Sequence, residues 1–228
     1  MESNATGLQR LYTREVFQPW RSEAWTYLSR FTYPWEALPG IHDFILKLGA
    51  ALSVAEYDKL GESTWVHKTA TVASTAHIGC AVIIGADTDV RHNAYIRESA
   101  LVGNGVVVGN STELKNVILF DWVQVPHFNY VGDSILGFKS HMGAGSITSN
   151  VKSDNSLVSV ASGETRIETG LRKFGAIIGD NVEVGCNAVL NPGTVIGRGT
   201  SIYPLSMVRG YVPPGSIYKK QGEVVRRV

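Results

Sequence analysis

A branched apolar residue returns at every sixth position for about fifty residues of this chain, and the same phase returns in its last third. An amphipathic helix needs apolar spacings of three and four, and a half-buried strand needs alternation, so neither produces a strict spacing of six. The spacing predicts a parallel β-helix of hexapeptide repeats, in which each hexad forms one short strand and one corner. These anchor positions are Val66, Val72, Ile78, Ile84, Val90, Ile96, Val102, Val108, Leu114, Ile178, Val184, Leu190, Ile196, Ile202 and Val208.

The repeat can be followed through two slips of one residue, near Phe120 and near Ile135. We expect the β-helix to run from about Thr64 to Ser149 and to resume from Ile178 to about Val212. Three hexads make one triangular coil, so residues eighteen apart lie on the same face. Through the slips, the anchors are Leu119, Val125, Val131, Leu136 and Met142.

The hexad also divides the chain. Residues 1–62 lack it and are predicted to form a short N-terminal helical cap, with helices over Glu23–Phe31 and Ile41–Leu52. The β-helix domain covers 63–215 and is interrupted by an extended insertion at 150–177, where Leu157–Ala161 and Thr165–Thr169 can pair as a hairpin. Residues 216–228 read as a basic tail. Because an open coil exposes its core, we expect aromatic residues of the cap to pack on the first coil: Trp20, Trp25, Phe31, Trp35 and Phe44.

Composition restricts the function classes. The formal charge is only +1, which argues against a nucleic-acid partner, since such binding needs a basic face. The two cysteines, Cys80 and Cys186, lie in different repeats without metal-type spacing, so we expect free thiols in a reducing cytoplasm. The N-terminal sequence has no long apolar run, so neither a signal peptide nor a membrane association is expected.

One pair of cations has two interpretations. Arg97 and Lys115 each follow an anchor directly and are eighteen residues apart, so they should stack on neighbouring coils roughly 4.8 Å apart. An anionic group of a ligand, such as a phosphate, would relieve their repulsion. Alternatively, they are two solvated surface charges with Glu98 and Glu113 as neighbours.

The central motifs carry a family resemblance. The segments Tyr95-Ile-Arg97, Glu113-Leu-Lys115-Asn116, Val125-Pro-His127-Phe-Asn-Tyr130-Val-Gly132-Asp133 and Gly143-Ala-Gly145-Ser-Ile-Thr148-Ser-Asn150 occur in order, and Lys173-Phe174 follows. Together they resemble the acetyltransferase domain of the bifunctional N-acetylglucosamine-1-phosphate uridyltransferase/glucosamine-1-phosphate acetyltransferases, and of archaeal-type sugar-phosphate nucleotidyltransferases that carry such a domain. The resemblance implies a left-handed β-helix, a homotrimer with active sites between subunits, acetyl-CoA as co-substrate and no metal.

The resemblance also implies roles for individual residues. His127 matches the general base, and a histidine with a pKa near neutrality suits deprotonation of an attacking amine. Glu113 could orient its imidazole. The remaining matches are Arg97, Lys115 and Lys173 for the sugar phosphate, Tyr130 for the substrate, Asn150 for the acetyl-CoA thioester and Cys186 for the acetyl-CoA wall.

Some positions depart from the family pattern. His141 replaces an asparagine, so acceptor recognition is expected to differ, and Pro204 replaces a small residue of the coenzyme groove. Lys219 and Lys220 either contact the coenzyme phosphates or belong to an exposed tail. No Gly-rich phosphate loop precedes residue 60, so uridylyl transfer is not expected.

The expected function is acetyl-CoA-dependent N-acetylation of an amino-sugar phosphate, namely glucosamine-1-phosphate, within UDP-GlcNAc biosynthesis. Three alternatives remain open. One is another acceptor, such as a nucleotide-linked amino sugar. Another is a non-catalytic trimer that binds sugar phosphate or acetyl-CoA. The third is a zinc-dependent β-helix of the carbonic-anhydrase-like class, although the close His-x4-His pairing expected there is missing among the six histidines.

Overall fold

The structure is a computed structural model that describes residues 8–19 and 22–226. Its N-terminal part is helical, and the rest consists of short strands joined by turns. Trp20, which we assigned to the cap, lies outside the described residues. The helices are α1 (Thr13–Val16), α2 (Glu23–Leu28), a 3-10 helix (Pro34–Gly40) and α3 (Ile41–Ala51).

Two large sheets form the coil, and both are parallel except at their ends. A separate antiparallel hairpin pairs β13 (Ser159–Ser162) with β14 (Thr165–Glu168). The twelve-stranded sheet contains β1 (Tyr57–Leu60), β2 (Thr64–His67), β4 (His77–Ile84), β6 (Tyr95–Val102), β8 (Glu113–Leu119), β10 (Tyr130–Leu136), β12 (Ile147–Thr148), β15 (Ala176–Ile178), β17 (Val189–Leu190), β18 (Thr194–Ile196), β20 (Met207–Val208) and β21 (Tyr211–Val212). The nine-stranded sheet contains β3 (Thr71–Val72), β5 (Asp89–Val90), β7 (Val107–Asn110), β9 (Gln124–His127), β11 (His141–Met142), β16 (Glu183–Val184), β19 (Ser201–Ile202), β22 (Ser216–Lys220) and β23 (Glu223–Arg226).

The strands wind around three corners, and this confirms the predicted parallel β-helix. Each corner is marked by residues with positive φ that recur at intervals of sixteen to eighteen, except across the insertion, where the interval is longer. The left-handed sense of the coil remains what the resemblance implies. The first corner contains Ala81, Ser99, Asn116, Asp133, Gly193 and Gly210; the second Asp87, Gly105, Trp122, Lys139, Asn181, Gly199 and Gly215; the third Asn93, Ser111, Phe128, Gly145, Asn187 and Leu205.

The corners define three faces. We call the face between the third and first corners the open face, and the face between the first and second corners the capped face. The third face is the nine-stranded sheet. Strands β4, β6, β8 and β10 turn through the first corner and therefore contribute to both the open and the capped face.

The helical cap covers a side of the coil as well as its first turn. Helix α3 packs on β4, β6 and β8, and the ring of Phe17 stacks on Phe120 with centroids 5.2 Å apart. The prediction that the cap packs on the first coil is therefore too narrow. The reason is a column of apolar residues, each next to an anchor, that point outward by strand alternation and are less than a tenth exposed: Trp65, Ile83, Leu101, Ile118, Ile135, Ile177 and Val195.

The two predicted helices are present, but both end earlier than predicted. Helix α2 ends at Leu28, three residues before the predicted end, and α3 ends one residue early. Ser22 caps α2 because its side chain accepts a hydrogen bond from the backbone N–H of Trp25. The 3-10 helix was not predicted.

The insertion packs against the coil. Its hairpin matches the predicted pairing, with Gly163 at the turn, and Val158 and Val160 are fully buried. The hairpin can approach the coil closely because Gly193 has no side chain. A Cβ at Gly193 would lie only 2.7 Å from the Ser159 carbonyl oxygen. The hairpin is therefore fixed on the rigid coil just beyond the first corner.

The coil does not end at Gly215 as predicted, and it continues into the segment that was predicted to be a basic tail. Strand β22 extends the third face beside β19, and β23 folds back on it. Tyr218 is buried and its hydroxyl donates to the carbonyl oxygen of Met207 at 2.7 Å. An aromatic side chain with a satisfied hydroxyl has more to gain from packing than from solvent exposure.

One glycine tests the coil geometry directly. A Cβ at Gly109 would lie 1.6 Å from the carbonyl oxygen of Pro126 on the next coil. We expect Gly109→Ala to lower the free energy of unfolding by about 3 kcal/mol, since neighbouring backbones must separate. Gly163→Ala is the control: its Cβ would meet open space at φ +60°, so we expect only about 1 kcal/mol of backbone strain. Equal losses in chemical denaturation would contradict the close approach.

Candidate active site

A buried carboxylate organises the open face at the first corner. The Asp133 side chain is 5% exposed and its Oδ1 accepts from Lys115 Nζ at 3.1 Å. The same oxygen accepts from Asn116 Nδ2 at 3.0 Å, and Oδ2 accepts from Asn150 Nδ2. Three donors converge on this one carboxylate, two from the preceding coil and one from the following coil. The side chains of this face are therefore held in fixed positions. We call these four residues the Asp133 network.

The predicted stacking of Arg97 on Lys115 is wrong. The register of β6 and β8 shifts between Ile96 and Glu98, so Glu98 is the partner of Lys115 and Arg97 is the extra residue. Arg97 Nη1 instead donates to Glu113 Oε1 at 3.0 Å. The extra residue arises because the turn from Ser99 to Asn116 is one residue shorter than a regular coil. Each cation therefore has its own carboxylate.

Tyr130 and Asn150 lie in the same polar surface. Asn150 Nδ2 donates to the Tyr130 hydroxyl at 3.2 Å, which joins Tyr130 to the Asp133 network. Partial burial, followed by the nearby charges of Asp133 and Glu113, raises the pKa of Tyr130, with a smaller opposing effect from Asn150. The phenol is therefore neutral around pH 7 and can donate a hydrogen bond to a ligand.

His127 lies at the third corner, at the end of β9. Its side chain is exposed, while its backbone N–H donates to Asn129 Oδ1 at 3.1 Å. Within the described part of the chain, the hydrogen-bond partner of Glu113 is Arg97 and not His127. The role of Glu113 in orienting the imidazole stays a prediction, and within this chain the Glu113 carboxylate binds Arg97.

The third corner forms a column that connects several predicted coenzyme residues. Backbone hydrogen bonds link His127 to Gly145, Ala144 to Asn187 and Cys186 to Leu205 on successive coils. Cys186 therefore lies two coils from His127, roughly 10 Å, and the chain neighbour of Leu205, Pro204, lies one coil further.

The last two coenzyme candidates lie at the end of the coil. Lys219 and Lys220 share one carboxylate, that of Glu223, at 3.2 and 3.5 Å. Lys220 closes β22 and the neighbouring Lys219 lies within it, on the third face. Their backbone lies in a strand and not in a tail, and contact with the coenzyme phosphates stays a prediction.

His141 lies apart from the Asp133 network. It belongs to β11 on the third face, and its Nδ1 lies 2.8 Å from Glu183 Oε2. Its strand partner is Gln124, three residues before His127, so the backbones of the two histidines are roughly 11 Å apart. A groove of about 310 Å³ surrounds His141, lined also by Trp122, Gln124, Lys139 and Glu183.

Lys173 lies next to the network through its chain neighbour. The backbone N–H of Phe174 donates to the Asn150 carbonyl oxygen at 2.9 Å, and Phe174 is buried while Lys173 is exposed. Among residues 8–19 and 22–226, Lys173 has no ion-pair or hydrogen-bond partner. It is therefore a free cation at the level of Asn150.

Sequence reasoning missed the roles of Asp133 and Asn116. Both stood in the quoted motifs without an assignment. A signal for Asp133 was available, because it lies eighteen residues after Lys115, on the same column by the spacing rule. Asn116 gave no such signal, since its amide reaches the network only because it occupies a corner with positive φ.

Neither a metal-binding cluster nor a membrane-spanning helix is found in the described residues. They contain no group of three or more His, Cys, Asp or Glu side chains that could hold a metal ion. None of their helices has the length and apolarity needed to cross a membrane.

These features define a class: a hexapeptide-repeat β-helix with an exposed corner histidine beside a polar face. Residues 86–196 match the family model described as the GMPPB C-terminal domain. The motif resemblance is confirmed by relatives whose names include an acetyltransferase activity.

One such relative is the bifunctional sugar-1-phosphate nucleotidylyltransferase/acetyltransferase of Sulfurisphaera tokodaii, 37% identical over 48% of this chain and 27% of its own length. The bifunctional protein GlmU of Methanococcus aeolicus is 37% identical over 51% of this chain and 28% of its own length. The chain thus spans little more than a quarter of these curated relatives. Among solved structures, a hexapeptide transferase family protein from Anaplasma phagocytophilum aligns with 72% of this chain and 79% of its own, at 17% identity and a TM-score of 0.42.

Proposed function

We propose that this protein is an acetyl-CoA-dependent N-acetyltransferase that acts on an amino-sugar phosphate, with glucosamine-1-phosphate as the first acceptor to test. The observation that carries the proposal is the position of His127. It is exposed on the corner column of Cys186 and Pro204, and that corner borders the open face with its Asp133 network. A donor that runs along the corner and an acceptor on the face would meet at His127. The acetyltransferase relatives support the reaction type.

The proposed step needs one base and a bound acceptor. The amine nitrogen attacks the thioester carbonyl carbon while His127 takes up the proton of the amine. The C–S bond then breaks, and coenzyme A leaves as the thiol after protonation. Holding donor and acceptor together accounts for much of the rate by proximity. Tyr130 and Asn150 are proposed to orient the acceptor and the thioester.

The acceptor phosphate has three candidate cations. Glu113 neutralises Arg97 and Asp133 neutralises Lys115, so these two would contribute N–H donors more than net charge. Of these three candidates, Lys173 is the one without an ion-pair or hydrogen-bond partner among the described residues. We therefore propose that Lys173 supplies most of the attraction for the phosphate.

We also propose a homotrimer, because exposed apolar side chains gather around the third corner. Phe128 is 61% and Leu205 is 79% exposed at the corner itself, while Tyr95, Tyr203 and Met207 flank it. A cluster of this kind is typical of a contact surface. The capped face is already covered by the chain's own helices, so the open and third faces remain for a subunit contact. The two cysteines are free and exposed, in keeping with the reducing cytoplasm, where UDP-GlcNAc biosynthesis would require the product.

The first experiment follows thiol release from acetyl-CoA with glucosamine-1-phosphate, glucosamine and glucosamine-6-phosphate, with sedimentation to give the oligomeric state. Release with the 1-phosphate well above the other two supports the proposal. Binding of acetyl-CoA without release from any acceptor would favour the non-catalytic trimer. If acetyl-CoA does not bind either, the acetyltransferase proposal is wrong.

Lys173 offers a specific test of phosphate recognition. We expect Lys173→Gln to raise the KM for glucosamine-1-phosphate about tenfold, because one charge-assisted contact is lost. The neighbouring Arg172→Gln is the control, since Arg172 donates to the Asn155 carbonyl oxygen. Steady-state kinetics of both variants would reveal a general charge effect if the two KM values rose equally.

A further inference from the structure

A basic groove lies between the insertion hairpin and the coil. It encloses about 550 Å³ and is lined on the coil side by Ser149, Asn191 and Arg209, and on the insertion side by Lys152 and Arg166. Neither arginine has an ion-pair or hydrogen-bond partner among residues 8–19 and 22–226, and both are exposed. Two free guanidinium groups facing one groove are suited to bidentate contacts with phosphate oxygens.

The other charges at the groove leave it positive. Lys152 Nζ donates to Ser156 Oγ at 2.6 Å and to the Leu157 carbonyl oxygen, so it remains a cation without a carboxylate. Asp154 is the one acid that lines the groove. Hydrogen bonds from Ser156 lower the pKa of Asp154, so it is ionised at neutral pH. Three cations and one anion give a net charge of about +2 at the groove.

The groove lies on the open face next to the Asp133 network, on the coils that follow it towards the C-terminus. Ser149, which lines it, is the chain neighbour of Asn150. Ile147 pairs with Val189, and Val189 pairs with Met207, so Arg209 lies two coils beyond Ser149, or roughly 10 Å. A sugar monophosphate held by Lys173 at the level of Asn150 is too short to engage Arg209 as well. A sugar joined through a diphosphate reaches further along the same face.

We propose that this groove is a subsite for the distal phosphate of an acceptor whose amino sugar is linked through a diphosphate, as in a nucleoside-diphosphate amino sugar. This inference rests on the proposed function, and it narrows the acceptor class. Coenzyme A carries phosphates too, but its predicted contacts Cys186 and Pro204 lie at the third corner, on the opposite edge of the open face. The groove's arginines are at the first corner, with the acceptor network.

Kinetics of two acceptors test the subsite. We expect wild-type protein to use UDP-glucosamine with a KM at least about tenfold below that for glucosamine-1-phosphate, as expected for one or two additional charge-assisted contacts. In the Arg166→Gln/Arg209→Gln variant, the ratio of kcat/KM for these two acceptors should fall about tenfold. The matched control is Arg30→Gln/Lys47→Gln, which removes two exposed cations from the cap and should keep the wild-type ratio. An unchanged ratio in the groove variant would overturn the subsite.

A binding measurement tests the subsite independently of acetyl transfer. Calorimetric titration with UDP should show affinity that the groove variant loses by about tenfold and the cap variant keeps. If UDP binds in this way but neither acceptor yields free thiol, the subsite stands and the proposed acetyl transfer is wrong. If both acceptors turn over equally and UDP binding does not depend on the arginines, the transfer stands and the subsite is wrong. Loss of coenzyme A affinity in the groove variant, with UDP unaffected, would assign the groove to the donor and overturn the inference.

Discussion

Replacement of His127 by alanine is expected to lower kcat for acetyl transfer by about 10²- to 10⁴-fold, the range typical for loss of a general base. The imidazole is exposed at the third corner and makes no side-chain hydrogen bond within the described residues. Its removal should therefore leave the coil intact. The KM for acetyl-CoA should change little, since the proton is transferred only in the reaction step.

The control for His127 is another histidine of the same corner region. His92 is exposed, and its Nδ1 lies 2.7 Å from Thr75 Oγ1. We expect His92→Ala to keep kcat within about twofold, since His92 lies two coils from His127. Thiol-release kinetics would give kcat for both variants, and circular dichroism would show whether each coil is intact. A His127→Ala protein with near-wild-type turnover would show that another group accepts the proton.

Replacement of Asp133 by alanine is expected to cost about 3 kcal/mol of the free energy of unfolding. Asp133 is nearly buried, and Lys115 is only 17% exposed, so the variant leaves a poorly solvated ammonium group without its carboxylate. The amides of Asn116 and Asn150 lose their shared acceptor at the same time. Activity should fall as well, because Asn150 and Tyr130 are no longer held in place.

Chemical denaturation of two further variants separates the loss of the Asp133 network from the effect of the corner conformation. Asp87→Ala changes the same residue type at a similar positive φ, +57° against +47° for Asp133, but on the surface at the second corner. It should cost only about 1 kcal/mol of strain. Asp133→Asn keeps a polar side chain that tolerates this conformation, and we expect an intermediate loss. If Asp133→Ala and Asp87→Ala are equally destabilising, the network contributes nothing beyond the corner conformation.

Much of the coil could be predicted because its signal is local and repeated. Each anchor fills the axis, and each corner needs a residue that accepts positive φ, so the period appears directly in the sequence. The two slips near Phe120 and Ile135 were also visible there. The structure places them at the corners Asn116 and Asp133, where the turn contains seventeen residues instead of eighteen.

The site was predicted less completely because a spacing rule gives the column of a residue but not its hydrogen-bond partner. The rule placed Arg97 over Lys115. Because of a one-residue bulge, Arg97 instead pairs with Glu113, and Lys115 pairs with Asp133. The side of the coil that the cap covers also has a signal in the sequence. An apolar residue stands directly before every third anchor, as at Ile83 and Leu101, and such outward residues need a cover.

The sequence by itself determined the period of the coil, its interruption by an insertion and its resemblance to acetyltransferase domains, because each is recorded in residues close together along the chain. Only the tertiary structure decided which charges are neutralised, which face the cap covers and where free arginines meet. Arg166 and Arg209 are 43 residues apart in the chain, and no local pattern relates a hairpin to a coil. They line one groove because the hairpin packs on the first corner, with Ser159 beside Gly193 and Ala161 beside Gly210, and these contacts are long-range.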